Sequence, residues 1–226
     1  LSAAAIEQAC DWEHSPTDIV DPAWPRFQGV DLSGPERPGT VFFTMAVSPE
    51  GKKYVTEIRR GNWGFGTRAA EQGVEALIAN KPELIMLENI AAQDAYLDIL
   101  KLIYATWMPL KGYRTGREKA DYQILIPGLC AQIENGGWVF PFLHVKAHRG
   151  HLCRCSYCTF LDELGKYPHG QTDTVMACWF ADKAYQSGFM DYDIDMDAIR
   201  TARTHGLPAR QFPYTPGRYF PDVAKR

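Results

Sequence analysis

Long apolar runs are missing from this chain of 226 residues. Stretches such as 41–47 and 84–87 fall far short of the ~20 residues that a membrane-spanning helix needs, so no membrane association is expected. A secretory leader is missing too: Leu1-Ser-Ala-Ala-Ala-Ile has no basic residue and meets Glu7 and Asp11 early. There is no initiator Met, and the expectation is a fragment or processed product. Charge of one sign is not in excess. Lys plus Arg number 24 against 27 Asp plus Glu, so nothing global attracts nucleic acid and any positive surface must be local. No G-x-x-x-x-G-K-[ST] occurs, which excludes a P-loop ATPase within the chain, and Gly61, Gly64 and Gly66 have the wrong spacing for a dinucleotide site. The acidic run at Asp191, Asp193 and Asp195 fails as a calcium loop, because Met196 replaces the required Gly and Ala202 the closing Glu.

What is present suits a folded domain: 46% of the residues are hydrophobic and 12% aromatic. Residues 1–26 read as a linker broken by Pro16, Pro22 and Pro25, although 3–10 could form a short helix. Segments 26–32, 41–48 and 53–60 read as strands joined by short turns, which favours an antiparallel meander. Helices are expected over 67–80, with Ala70, Val74, Leu77 and Ile78 on one face, and over 91–107. Between them 84–87 suits a buried strand. A basic loop over 108–119, a helix over 120–134 and a short strand at 138–140 come next. An irregular stretch at 142–154 precedes helices over 157–165 and 172–187, and residues 191–226 form a Pro-, Tyr- and Arg-rich tail.

Three acids stand out by position. Asp31 closes the first strand, Glu88 follows the apolar run Leu84-Ile85-Met86-Leu87, and Asp173 opens the last long helix. Taken singly, Asp31 suits a turn and Asp173 a helix start, while Glu88 is harder to explain without a partner. Converging carboxylates repel one another unless a cation neutralises them, and the natural occupants are hard divalent ions.

The order of these acids, together with local motifs, resembles the C-terminal nuclease domain of large terminase subunits from tailed double-stranded DNA phages, in the ribonuclease-H-like superfamily. The matching segments are Gly29-Val30-Asp31-Leu32-Ser33-Gly34, Glu88-Asn89 with Ala91-Ala92-Gln93, Ile133-Glu134-Asn135-Gly136 with Val139-Phe140-Pro141, and Glu163-Leu164 leading to Tyr167-Pro168-His169-Gly170. Asp173-Thr174-Val175-Met176-Ala177 completes them. Thr172 stands where the family often has a second acid, and Tyr122 stands at about the place where an Arg commonly follows the Lys of the basic loop.

The resemblance implies an α/β fold, a ribonuclease-H-like mixed sheet flanked by helices, over 27–190. It implies an endonuclease that cuts concatemeric double-stranded DNA during genome packaging. Asp31 would bridge two Mg²⁺ or Mn²⁺ ions, with Glu88 and Asp173 each completing one side. The implied partners are an N-terminal ATPase motor, a small terminase subunit and a portal protein, in the host cytoplasm and absent from the mature virion. The rivals are another ribonuclease-H-like nuclease, of resolvase or exonuclease type, and a non-catalytic zinc-containing DNA-binding or assembly module.

Two further groups bear on the chemistry. Lys111, Arg114, Arg117 and Lys119 fall close together and could hold DNA phosphates, although the same residues suit a solvated loop. His148, His151, Cys153, Cys155 and Cys158 could form a structural zinc site, but they crowd into one short segment with no distant second pair. Reduced, unligated thiols are therefore the favoured reading.

Overall fold

The computed structural model describes residues 1–33, 39–63, 67–88, 110–113, 122–148 and 153–188. Within them seven strands form one mixed sheet: β1 (Cys10–Asp11), β2 (Arg26–Asp31), β3 (Thr40–Val47), β4 (Lys53–Gly61), β5 (Leu84–Glu88), β6 (Leu110–Tyr113) and β7 (Trp138–Pro141), in the order β1-β7-β4-β3-β2-β5-β6. The helices are α1 (Ala3–Ala9), α2 (Pro16–Ile19), α3 (Thr67–Asn80), α4 (Tyr122–Glu134), α5 (Ser156–Lys166) and α6 (Asp173–Gly188), with a 3₁₀ helix at Leu143–His148. β2, β3 and β4 pair antiparallel, as their short connections require. β5 then adds parallel to β2, with α3 as the crossover.

Strand pleating divides the molecule into layers, because alternate side chains point to opposite faces. Phe27, Val41, Phe43, Met45, Leu84 and Met86 pack with residues of α4, α5 and α6 on one face. Val30, Phe42, Ile85 and Leu87 pack with α3 on the other. Both faces of β3 are covered, so all its residues are buried, which suits its nearly unbroken apolar sequence. Phe160 anchors α5 by packing at 5.2 Å from Phe43 and 5.3 Å from Phe140, ring centre to ring centre. Truncating it to Ala would cost about 3–5 kcal/mol.

Several expectations change. Residues 1–26 are not a bare connector. β1 pairs parallel with β7, the Phe142 N–H donates to the Asp11 carbonyl at 2.8 Å, and Ala9 is part of the core. The prolines that discourage long elements still allow a two-residue edge strand and one helical turn. The basic loop loses its beginning to β6, where Leu110-Lys111-Gly112-Tyr113 pairs with Ile85–Glu88. The irregular stretch holds the 3₁₀ helix. On α3 the buried side is Ala69, Ala70, Gly73, Ala76 and Asn80, and Ile78 is 67% exposed. Small residues let this helix lie close to the sheet, which turns the larger side chains towards its rim. The helix expected over 91–107 and the tail over 191–226 lie outside the described residues. Among those described, no helix is long and apolar enough to cross a membrane.

Candidate functional site

Asp31 and Glu88 end two neighbouring parallel strands. The register pairs Val30 with Leu87, so the next residue on each strand is one of the two acids. Pleating puts Glu88 on the face of Leu84 and Met86, and Asp31 on the face of Phe27 and Gly29. This is the face that α6 covers. Phe27 meets Tyr185, ring centres 5.3 Å apart, and Gly29 lies under Ala177, Phe180 and Ala181, whose backbone fills the place a side chain at 29 would need. Moving along β2 therefore means moving back along α6, and the step from Gly29 to Asp31 heads towards the N-terminal end of that helix. Glycine at 29 is what allows this approach.

Asp173 is held from several sides. Its Oδ2 occupies the place a side chain at Gly39 would take, just before β3. The Arg60 guanidinium lies 3.7 Å from that oxygen and 3.9 Å from Glu163 Oε1. Arg60 pairs with Val41, which pairs with Asp31, so this cation stands at the level of Asp31 on the same face. Its buried Nε has no hydrogen-bond partner among the described residues. Glu163 in turn accepts from the Thr174 N–H at 2.7 Å and the Val175 N–H at 3.2 Å, satisfying free donors in the first turn of α6. Burial, and secondarily the Asp173 charge, push the Glu163 carboxyl above its ordinary range, against these donors and Arg60. Glu88 is only 3% exposed, and the Asp173 side chain is 31% exposed. The corner thus has a buried side and an open side.

Arg60, Glu163 and Gly39 are not among the site residues expected from the sequence. Arg60 shared one signal with Asp31 and Glu88, a charge near the end of a strand. Of the basic group, Lys111 is exposed on β6, level with Met86 and two residues before Tyr113, which is level with Glu88. Arg114, Arg117 and Lys119 lie outside the described residues.

A second cluster gathers softer donors. His148 ends the 3₁₀ helix, Cys155 caps the N-terminus of α5, and Cys158 lies in its first turn. His148 Nδ1 is 3.3 Å from Cys153 Sγ, 3.6 Å from Cys155 Sγ and 3.7 Å from Cys158 Sγ. All four ligand atoms lie within 4.8 Å of one another. The Cys155 N–H donates to Cys153 Sγ and the Cys158 N–H to Cys155 Sγ, each at 3.4 Å. The Cys155 N–H above all holds the Cys153 thiol below its usual range, whereas burial and then the adjacent sulfurs push Cys158 up to about 12. All six cysteines are free. His151 lies outside the described residues.

No family model and no curated protein matches the sequence. Solved structures do. The human cytomegalovirus terminase nuclease domain, Mn-soaked with and without a bound inhibitor, superposes with a TM-score of 0.55 at 10% identity, over 81% of this chain and 94% of that one. The yeast mitochondrial Holliday junction resolvase aligns at 10% identity over 84% of this chain and 89% of that one, and its TM-score of 0.48 falls below the level at which a shared fold follows. The mixed sheet with its flanking helices is thus an α/β fold of the ribonuclease-H-like type, shared with the cytomegalovirus terminase nuclease domain.

Proposed function

We propose that this chain is a metal-dependent endonuclease acting on double-stranded DNA, and that it serves as the nuclease of a genome-packaging terminase. The observation that carries the reading is the register of Asp31 and Glu88 on adjacent strand ends, on the sheet face that packs against the helix Asp173 opens. The donor set fits Mg²⁺ or Mn²⁺ because it is all oxygen. A pair of such ions would supply Lewis acidity and a more acidic bound water to phosphodiester hydrolysis.

The protein's own contribution is placement. Asp31, at the end of β2 between β3 and β5, would be a ligand to the metal. Glu88 is fixed by burial, and Asp173 by the helix start that Glu163 caps. Arg60, 3.7 Å from Asp173 and 3.9 Å from Glu163, limits repulsion between those two acids. Lys111, with Arg114, Arg117 and Lys119, would neutralise phosphates along the duplex. The terminase role brings with it the ATPase motor, small subunit and portal as partners, and the host cytoplasm as location. The likeness in fold to a viral terminase domain and the motif resemblance support that role.

The test is nicking of supercoiled plasmid by the purified chain. Cleavage is expected in Mg²⁺ or Mn²⁺ and not in Ca²⁺, whose looser shell binds without enforcing in-line geometry. Undiminished cleavage in EDTA would overturn the reading.

A further inference from the structure

We propose that His148, Cys153, Cys155 and Cys158 bind one tetrahedral zinc ion, and that this ion is structural. Zn–S bonds of ~2.3 Å and Zn–N bonds of ~2.0–2.1 Å at tetrahedral angles place nitrogen and sulfur roughly 3.5–3.6 Å apart. The three Nδ1–Sγ separations, 3.3, 3.6 and 3.7 Å, bracket that value. Four donors from the protein close the coordination shell and leave no position for a substrate or water, as expected of a structural ion. An iron–sulfur cluster would hold its ligand atoms farther apart than this single-ion spacing.

The backbone supplies an independent observation. The Cys155 and Cys158 N–H groups both point at sulfur, so backbone donors hold the Cys153 and Cys155 sulfurs in their positions beside His148. Among the described residues, regular structure ends with the 3₁₀ helix and resumes only at Ser156. An ion shared by His148 and Cys158 would tie those two elements together.

The tie has a consequence further along the chain. α5 carries Cys158 in its first turn and Glu163 farther along, and Glu163 caps the helix that Asp173 opens. Zinc would thereby fix the orientation of α5 and, through Glu163, the start of α6. That step to Asp173 rests on the nuclease reading, whereas the binding of zinc does not.

The experiment is elemental analysis of the chain, purified without a polyhistidine tag or chelator. One zinc per chain is expected, lost in the double variant Cys155→Ser/Cys158→Ser and retained in Asp31→Asn. Exchange with Co²⁺ should give the intense visible bands of a tetrahedral thiolate site. Chelation of the wild type should lower its melting temperature by about 5–10 °C, reversibly on adding Zn²⁺. Wild-type protein with well under one zinc after incubation with Zn²⁺ would overturn the site, and this measurement needs no variant to fold. Zinc retained by the double variant would overturn the ligand assignment. An unchanged melting temperature would overturn the structural role. Plasmid cleavage enters none of these readouts, so failure of the nuclease reading is seen separately.

Discussion

The two polar corners of the molecule are assembled in opposite ways. The thiol corner draws its donors from positions 148–158, so little chain entropy is lost in bringing them together. On the carboxylate side, register puts Asp31 and Glu88 at neighbouring strand ends, and Asp173 opens the helix that packs on the same sheet face, so any site there depends on distant parts of the chain. One is a local knot of soft ligands and the other a product of the whole fold. The contrast implies different responses to metal loss. Stripping the soft site should loosen structure, and stripping the hard site should stop chemistry while leaving the fold intact.

The sharpest way to break this contrast is at the acids. Asp31→Asn, Glu88→Gln and Asp173→Asn should each lower plasmid cleavage by at least ~100-fold, the scale of losing a positioned charge group. Each keeps its shape and loses charge, so circular dichroism and melting should be preserved, with a slight gain in stability as repulsion falls. Any variant that cleaves like wild type in Mn²⁺ removes its residue from the site.

Placement can be tested apart from charge at Gly39. Alanine there must push the Asp173 carboxylate aside, since Oδ2 occupies the space of the new methyl group. Cleavage should fall ~10–100-fold, because a displacement near 1 Å can cost about that much. The obstacle is a side-chain tip, but Gly39 has φ 159°, which L residues rarely adopt, so the melting temperature should fall modestly as well. Normal kinetics in Gly39→Ala would mean that the carboxylate tolerates repositioning.

A smaller effect is expected at the positive surface. Replacing Arg114 and Arg117 by Ala, measured in Ca²⁺, should weaken binding similarly across unrelated DNA sequences. The slope of log affinity against log salt should become shallower by ~1.8, at ~0.9 per phosphate contact. A loss confined to particular sequences would point to base reading, and an unchanged slope would return these residues to solvent.

The smallest effect concerns Glu163. Its carboxyl is raised above the ordinary 4.5, so above that pH the native state holds more proton than the unfolded chain. Stability from this group therefore falls as pH rises from about 4.5 through the native value, then levels off. Glu163→Gln removes that fall. In urea titrations carried upward from about pH 4, the wild type should lose stability relative to the variant as pH rises. A constant difference across that range would refute the burial argument.

Much of the carboxylate corner was legible beforehand, because an acid that ends an apolar run is visible without a structure. Asp31 and Glu88 show this, as does Asp173 at its helix start. Their surroundings were not legible. Arg60 reaches Asp173 only because β4 pairs with β3 at Val41, and Gly39 matters only because a carboxylate lies above it. At the thiol corner the donors were legible but their separation was not. The crowding that favoured unligated thiols turns out to bring one nitrogen and three sulfurs to the spacing of a single ion.

The sequence by itself determined the described strands and helices from β2 to β5, the antiparallel start of the sheet, and the acids at the element ends. Hydrophobic periodicity and turn chemistry are local, and a short window of residues contains them. Tertiary structure alone decided that Cys10 and Asp11 join the sheet edge, that Lys111 belongs to a strand, and that α3 buries its alanines while exposing Ile78. It also decided that Glu163 caps the helix of Asp173. Each of these depends on strand register or on the closest approach of packed backbones. Both are set by side chains far apart in the chain and compete successfully with local preference.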